Sequence, residues 1–261
     1  MRRGPLRRSS PGFARRIAAA ALLSALIPAS AASAVEPPSS NRSQAAERRV
    51  SADLKAEFRR QGLTWGAPVL IRIFKEEAEL ELWVSGDSRY RLFRRYPICA
   101  FSGRLGPKLK EGDRQAPEGF YRVRPRQMNP HSRYHLSFNL GYPNAFDRAH
   151  GRTGSYLMVH GNCVSVGCYA MASSWLPFGG GRNRPIEEIW TVMTAAFRAG
   201  QKAVPVHAFP FSLTDGNLAR HADNRWHGFW RMLQPGFAVF EATARPPRIE
   251  VRDGRYRVIP G

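Results

Sequence analysis

The chain has 261 residues, 43% of them hydrophobic, enough for one substantial domain with a core of its own, alone or with appendages. Its 40 Lys+Arg against 20 Asp+Glu give a formal charge of +20, which favours anionic partners by long-range attraction. Beyond the N-terminus no stretch is long and apolar enough for a membrane-spanning helix, which excludes a bundle of such helices.

At that N-terminus Arg2, Arg3, Arg7, Arg8, Arg15 and Arg16 precede the apolar run Ile17–Ile27 and then Ala32-Ser33-Ala34. A basic region, a short apolar region and an A-x-A site in that order read as a cleaved export signal over residues 1–34. The alternative is an uncleaved anchor helix, for which the apolar run has about half the needed length. Cleavage removes six Arg and no acid, leaving 34 Lys+Arg against 20 Asp+Glu, a charge of +14. The expected location is the periplasm or cell envelope, with no transmembrane span once the signal is removed. Export argues against nucleic acid as the partner of so basic a chain. It leaves an anionic envelope polymer, a membrane surface, or arginines that serve solubility alone.

Residues 35–50 are polar and Pro/Ser-rich and read as a flexible linker. Leu54 and Phe58, at helical spacing among charges, predict a short amphipathic helix over residues 51–61. From Pro68 the period changes. Val69–Phe74 and Glu79–Val84 alternate or run apolar and predict a hairpin, with Ser85–Ser88 turning into a third strand over Tyr90–Ala100. Residues 101–118, rich in Gly and Pro, read as loop, and Gly119–Arg124 as a further strand. Residues 125–155 are long, polar and irregular and carry His131, His135, Arg148, His150 and Arg152. A loop of that length inside a domain is either functional or a floppy insertion, and function is the commoner case.

After the glycine-rich Phe178–Gly181, the stretch Pro185–Arg198 predicts a helix, with Pro185 suited to its first turn and Gly200 to its end. Ala203–Ala208 predicts a closing strand, which Pro205 assigns to a sheet edge. Residues 215–244 have helical period, with Trp226, Phe229, Trp230 and Leu233 on one face expected to cover the sheet. Ile249–Ile259 reads as a hairpin around Asp253-Gly254. The organisation expected is a signal (1–34), a linker and short helix (35–65), a strand-dominated domain (66–210) and a helical extension with hairpin (211–261).

The chemistry-bearing stretch is Tyr156–Met171. A strand-like run, Tyr156–Val159, delivers His160 and Gly161, and a short loop returns to Ser165-Val-Gly-Cys168. Thiol plus imidazole is the minimal kit for nucleophilic acyl transfer, because the imidazole takes the thiol proton and leaves a thiolate. Gly167 lets the backbone turn and approach a substrate, and the amides around Gly167 and Cys168 are candidate oxyanion donors. The Gly161 carbonyl is a candidate acceptor for the second imidazole N–H, and the Ser165 hydroxyl a supporting hydrogen bonder. A Cys99–Cys163 bridge would leave Cys168 as a free thiol; a Cys163–Cys168 bridge and three reduced cysteines are alternatives.

Ser165 is a poorer nucleophile candidate, since Cys163-x-Ser165-x-Gly167 lacks the first glycine of the nucleophile elbow. Metal is disfavoured: His131 and His135 lack the Glu of H-E-x-x-H, and a zinc set of His160, Cys163 and Cys168 has no standard spacing and no fourth ligand. No cofactor is called for.

His160-Gly161 followed by Ser165–Met171 resembles the catalytic motif of the L,D-transpeptidase (YkuD-type) family, most of all its YafK-like branch. The resemblance extends over residues 66–250, through Arg72–Glu77, Phe101–Lys108, Glu111–Arg114, Ser137–Gly141, Ala149–Gly154 and Val206–Phe211. It implies a mainly β catalytic domain (66–210) of sandwich or barrel type, with peripheral helices and a C-terminal helical attachment. It further implies action on peptidoglycan stem peptides, with Cys168 as nucleophile, His160 as acid/base and the Gly161 carbonyl orienting it. The stem would be held as a thioester after release of D-Ala. Val166 stands where many relatives carry a second His, and the gap from His-Gly to the Cys is shorter here. An amine acceptor would give cross-linking; the alternative is an amidase or hydrolase that detaches a lipoprotein from peptidoglycan, or a non-catalytic binding module. For the acidic groups of a stem peptide Arg104, Arg148 and Arg152 are candidates, each equally readable as a surface arginine.

Overall fold

The computed structural model describes Met1, Gly4 and residues 35–173 and 181–259. The export signal read over 1–34, apart from Met1 and Gly4, and all but the last residue of Phe178–Gly181 lie outside the described residues. Among the described residues no helix is long and apolar enough to cross a membrane.

The first helix, α1 (Asn41–Arg60), starts ten residues earlier than expected, so residues 41–50 are not linker. Ser40 caps it, its hydroxyl accepting from the Ser43 N–H while Ser43 reciprocates. The buried stripe Ser43, Ala46, Val50, Leu54, Phe58 recurs close to the helical period, but its first members are too small and polar to stand out in sequence. The stripe packs on α3 (Arg184–Arg198), and ion pairs Arg49–Glu187, Arg184–Asp53 and Arg198–Glu47 lace the two helices.

Strands β1 (Val69–Phe74), β2 (Glu79–Ser85) and β3 (Tyr90–Pro97) form the predicted meander, β1 buried throughout. The chain then changes sheet, so the predicted third strand is divided: β4 (Ala100–Phe101) belongs elsewhere. Next come β5 (Gly119–Val123), β6 (Met128–Asn129), β7 (Ser137–Asn139), α2 (Ala145–Ala149), β8 (Met158–His160) and β9 (Tyr169–Ala170). After α3 follow β10 (Val204–Phe209), α4 (Asp215–Arg220), α5 (His227–Thr243), β11 (Arg248–Arg252) and β12 (Arg255–Ile259). The fold is mainly β with peripheral helices. One five-stranded sheet runs β3-β2-β1-β10-β5, the other β4-β9-β8-β7-β6, and β11-β12 is a separate hairpin. Its Asp253-Gly254 turn has both residues at positive φ, as a tight two-residue hairpin turn demands.

Strand β10 is not an edge. It pairs with β1 in parallel and β5 in antiparallel, and Pro205 lies one residue before the β1 ladder begins at Val206. The sequence rule fails because the proline sits where the strand is still paired on one side only. Helix α5 covers the outer face of this sheet with Phe229, Trp230, Leu233, Phe237 and Phe240, near the expected aromatic face. A fully buried Lys75–Glu118 pair (3.0 Å) ties sheet, loop and helix together: Glu118 also accepts from Gly106 N–H and Trp230 Nε1–H. The long stretch 125–155 is ordered, held by Arg152–Asp147 and by the Tyr142 hydroxyl on the Lys108 and Thr153 carbonyls.

Candidate active site

Within the second sheet β8 and β9 are parallel, with Val159 opposite Tyr169 and His160 opposite Ala170. Parallel neighbours usually need a crossover of a dozen or more residues. Here residues 161–168 make the return, which is possible because each strand is only two or three residues long. The register places Cys168 beside Met158, and the Met158 N–H meets Sγ at 3.4 Å. His160 lies two residues farther along the neighbouring strand. Strand spacing and rise put the Cα atoms of His160 and Cys168 roughly 8 Å apart, with both side chains on one face. The two are not hydrogen-bonded to each other; the thiol instead points at the Tyr156 carbonyl, 3.8 Å away.

His160 is 2% exposed. Its Nδ1 lies 2.5 Å from the Gly161 carbonyl, and only the Nδ1–H tautomer can donate there, which leaves Nε2 with the lone pair. The ring stacks on Tyr134 at 4.6 Å, a support that nothing local in the sequence signals. Gly161 has a steric reason for being glycine. A Cβ there would sit 2.7 Å from the Tyr134 carbonyl and 2.8 Å from Asn183 Oδ1. Burial lowers the His160 pKa, against a smaller upward pull from the Gly161 carbonyl. Burial raises that of Cys168, against smaller opposing effects of the Met158 N–H and the Lys108 charge. The resting pair is therefore neutral thiol and neutral imidazole.

Ser165 does more than support. Its Oγ accepts from the N–H groups of Gly167 (3.2 Å) and Cys168 (3.1 Å), takes a bond from Ser102 (2.9 Å), and donates to the Cys168 carbonyl (2.8 Å). The two amides considered as oxyanion donors are thus turned onto Ser165. Gly167 has φ 127°, open to glycine and rarely to other residues, which lets the chain bend into this turn. A Cys99–Cys163 disulfide pins the loop from the other side, with Cα atoms 5.6 Å apart, and leaves Cys168 free. That bridge removes Cys163 from any zinc set, and among the described residues no three His, Cys, Asp or Glu side chains are grouped to hold a metal.

The three arginines part company. Arg152 is buried, paired with Asp147 at 2.8 Å and lying over the Phe146 and Phe229 rings, so its guanidinium is committed to packing. Arg104 is exposed on the loop whose Ser102 touches Ser165. Arg148 is exposed, donates to the Pro143 carbonyl, and lines a cleft that contains neither Cys168 nor His160. The cation nearest the thiol in effect is Lys108, 5% exposed and bonded to Asp113 at 2.6 Å. Its burial gives no local sequence signal.

A free thiol just before β9 and an imidazole at the end of β8 thus face each other's strands in a two-sheet β fold. No known protein-family profile matches the chain. It is 48% identical over 193 residues, 74% of either chain, to "Putative L,D-transpeptidase YafK" of Escherichia coli K12, and equally to its namesake in strain O157:H7. At that identity and coverage the chain belongs to the L,D-transpeptidase family. Among solved structures, it is similar to the helical cell shape determining protein Pgp2 of Campylobacter jejuni (TM-score 0.43, 19% identity, 71% of this chain and 73% of that one). It is also similar to Bdellovibrio bacteriovorus Bd1075 (TM-score 0.36, 21% identity, 66% and 60%). Both structures are too distant to assign residue roles or an activity to this chain.

Proposed function

We infer that the chain is an exported cysteine acyltransferase acting on peptidoglycan stem peptides through a thioester on Cys168. The observation that carries this reading is the pairing of one free thiol with an imidazole on the adjoining strand. The imidazole's Nδ1 is occupied by Gly161, and its Nε2 makes no hydrogen bond among the described residues.

In the reaction His160 Nε2 takes the Cys168 proton as the sulfur attacks the carbonyl of the residue preceding a terminal D-Ala. The C–N bond then breaks, and the same imidazole returns the proton to the leaving amine of D-Ala. The stem remains on sulfur as a thioester. The Met158 N–H that faces Sγ stabilises the thiolate as it forms. Ser165 holds the turn so that the sulfur stays beside β8. An amine acceptor resolves the thioester into a cross-link; water in its place gives a hydrolase, including one that frees a peptidoglycan-linked lipoprotein. Which prevails depends on how far the acceptor site excludes water.

The test is incubation with a purified disaccharide-tetrapeptide, followed by intact-protein mass spectrometry. The expected result is an adduct lighter than the whole substrate by one D-Ala, absent from Cys168→Ala. Free D-Ala with an unmodified wild-type protein and an equally active Cys168→Ala variant would exclude the thioester. Adding lipoprotein-bearing sacculi, and looking for released lipoprotein, separates the amidase outcome from cross-linking.

A further inference from the structure

Away from the thiol, an open cleft of about 1010 Å³ lies between β5, β10, the 139–148 segment and the C-terminal hairpin. Its floor is the outward face of the first sheet, where Phe120 and Arg122 alternate along β5 and Arg124 follows just beyond the strand's end. Arg126, Arg148 and Arg248 stand around it. Glu250 is the acid in the lining, and it is engaged by Arg252 at 3.0 Å and Arg248 at 3.8 Å. Among the described residues no carboxylate pairs with Arg122, Arg124 or Arg126. Elsewhere this protein pairs its arginines freely: Arg49, Arg72, Arg94, Arg95, Arg184 and Arg198 all meet acids. His207, 3% exposed, lines the same floor, and its Nδ1 has no hydrogen-bond partner.

Unpaired guanidiniums lining a concave surface repel one another unless an anion lies between them. Their arrangement describes that anion. They are spread along a strand and around a rim instead of converging on one point, which suits several separated charges better than one phosphate. Planar guanidinium forks match carboxylates in pairs. Aromatic and proline side chains (Phe120, Tyr142, Pro246, Pro247) lie between them, suited to the apolar parts of a peptide.

The cleft is also placed to work with the thiol. Asn139 lines it and pairs across β7–β8 with Met158, the residue whose N–H faces Cys168 Sγ. Paired residues in an antiparallel ladder are about 5 Å apart, so the cleft and the sulfur are separated by little more than one strand.

We propose that this cleft is a second binding site, separate from the Cys168–His160 pair, that holds a carboxylate-bearing peptide arm of the polymer whose neighbouring bond is presented to the thiol. The identity of that polymer as peptidoglycan rests on the proposed acyltransferase function.

The test uses the full chain in a Cys168→Ala background, so that turnover plays no part. Binding to purified peptidoglycan sacculi is measured by co-sedimentation at low and high salt. Arg122→Glu with Arg124→Glu is expected to weaken retention at least tenfold at low salt, and the gap should close as salt screens the charges. Arg122→Lys with Arg124→Lys keeps most of the retention, which guards against a merely misfolded variant. Sacculi whose carboxylates have been amidated should bind both proteins equally weakly. Unchanged retention by the Glu variant overturns the proposal, as does a difference that persists on amidated sacculi. A loss seen only on phosphatidylglycerol vesicles also overturns it, in favour of a membrane surface. Cys168 acylation by a soluble fragment is read separately in the wild-type protein. If that fails while the retention difference stands, the thioester reading falls and the cleft remains.

Discussion

Around Cys168 almost every polar group has a partner inside the protein: the amides of residues 167 and 168 meet Ser165, and His160 Nδ1 meets Gly161. Among the described residues His160 Nε2 is left without a hydrogen bond, and the sulfur has only the long contacts to the Met158 N–H and the Tyr156 carbonyl. In the neighbouring cleft the distribution is reversed: among the described residues the guanidiniums of Arg122, Arg124, Arg126 and Arg148 lack a carboxylate and His207 Nδ1 lacks a hydrogen bond. The first region has its hydrogen bonds settled before a substrate arrives, as a step requiring fixed geometry demands. The second leaves its charges open for a ligand to pair. On the roles proposed above, one serves rate and the other attraction, so perturbations should separate them.

The largest effect should come from His160→Ala, which removes the proton acceptor and leaves the fold of the loop in place. Acylation is expected to fall by about 10²–10⁴ with little change in thermal midpoint. Equal activity would move the base elsewhere. The double variant Cys99→Ser/Cys163→Ser releases the loop and a cross-link spanning 64 residues. Chain-entropy arguments give a loss of about 4 kcal/mol, read as a lower urea midpoint, together with slower acylation. A drop in stability with full activity would show that the bridge holds the fold and not the site.

Ser165→Ala should cost less, roughly 1–3 kcal/mol in the reactive geometry, because the amides of residues 167 and 168 lose their acceptor. Rescue by Ser165→Thr would support the hydroxyl as a positioning group. The pH response separates the regions further. With the thiol raised and the imidazole lowered by burial, alkylation of Cys168 by iodoacetamide at pH 7 should be slower than for a free thiol. Its rate should keep climbing beyond pH 9 as the thiolate forms. A plateau near pH 7 would mean a preformed ion pair.

The smallest effect concerns the cleft floor. Burial, then the charges of Arg72 and Arg122, push His207 down to about 3. Below pH 6.5 the unfolded chain takes up a proton that the folded chain refuses. The stability contributed by neutral His207 is therefore complete above pH 6.5 and is lost as pH falls from there toward 3. His207→Phe, sized for its place beside Phe120 and Phe209, should flatten the fall in urea midpoint between pH 7 and 5. An unchanged slope would assign it to other groups.

The approach of Cys168 to the strand of His160, and the Cys99–Cys163 bridge among the pairings considered, were legible because both residues of the pair lie in one short stretch and the cysteines are few. Strands β1, β2 and β5 and the final hairpin were legible because alternation and a turn dipeptide are local signals. Other features were hidden for stateable reasons. The first half of α1 carries a stripe of small residues, so its composition resembles a linker. Pro205 suggested an edge, but the partner strand starts one residue later. Arg152 looked like its exposed neighbours until Asp147, Phe146 and Phe229 closed around it. The cleft draws on residues 120–127, 139–148, 205–207 and 246–256, and no pattern within any one segment announces the enclosure.

The short return between β8 and β9 makes loop length itself a chemical variable. Each residue added between Gly161 and Cys168 would advance the sulfur by about 3.3 Å if the strand register followed, and would turn it to the opposite face of the sheet. The segment acts as a ruler with a one-residue graduation, anchored at one mark by Cys163 and at the next by Ser165. A variant with one glycine inserted after Val164 keeps His160 and Cys168, and slower Cys168 acylation than in the parent would show that the register follows the loop, whereas an unchanged rate would show that the loop absorbs the insertion.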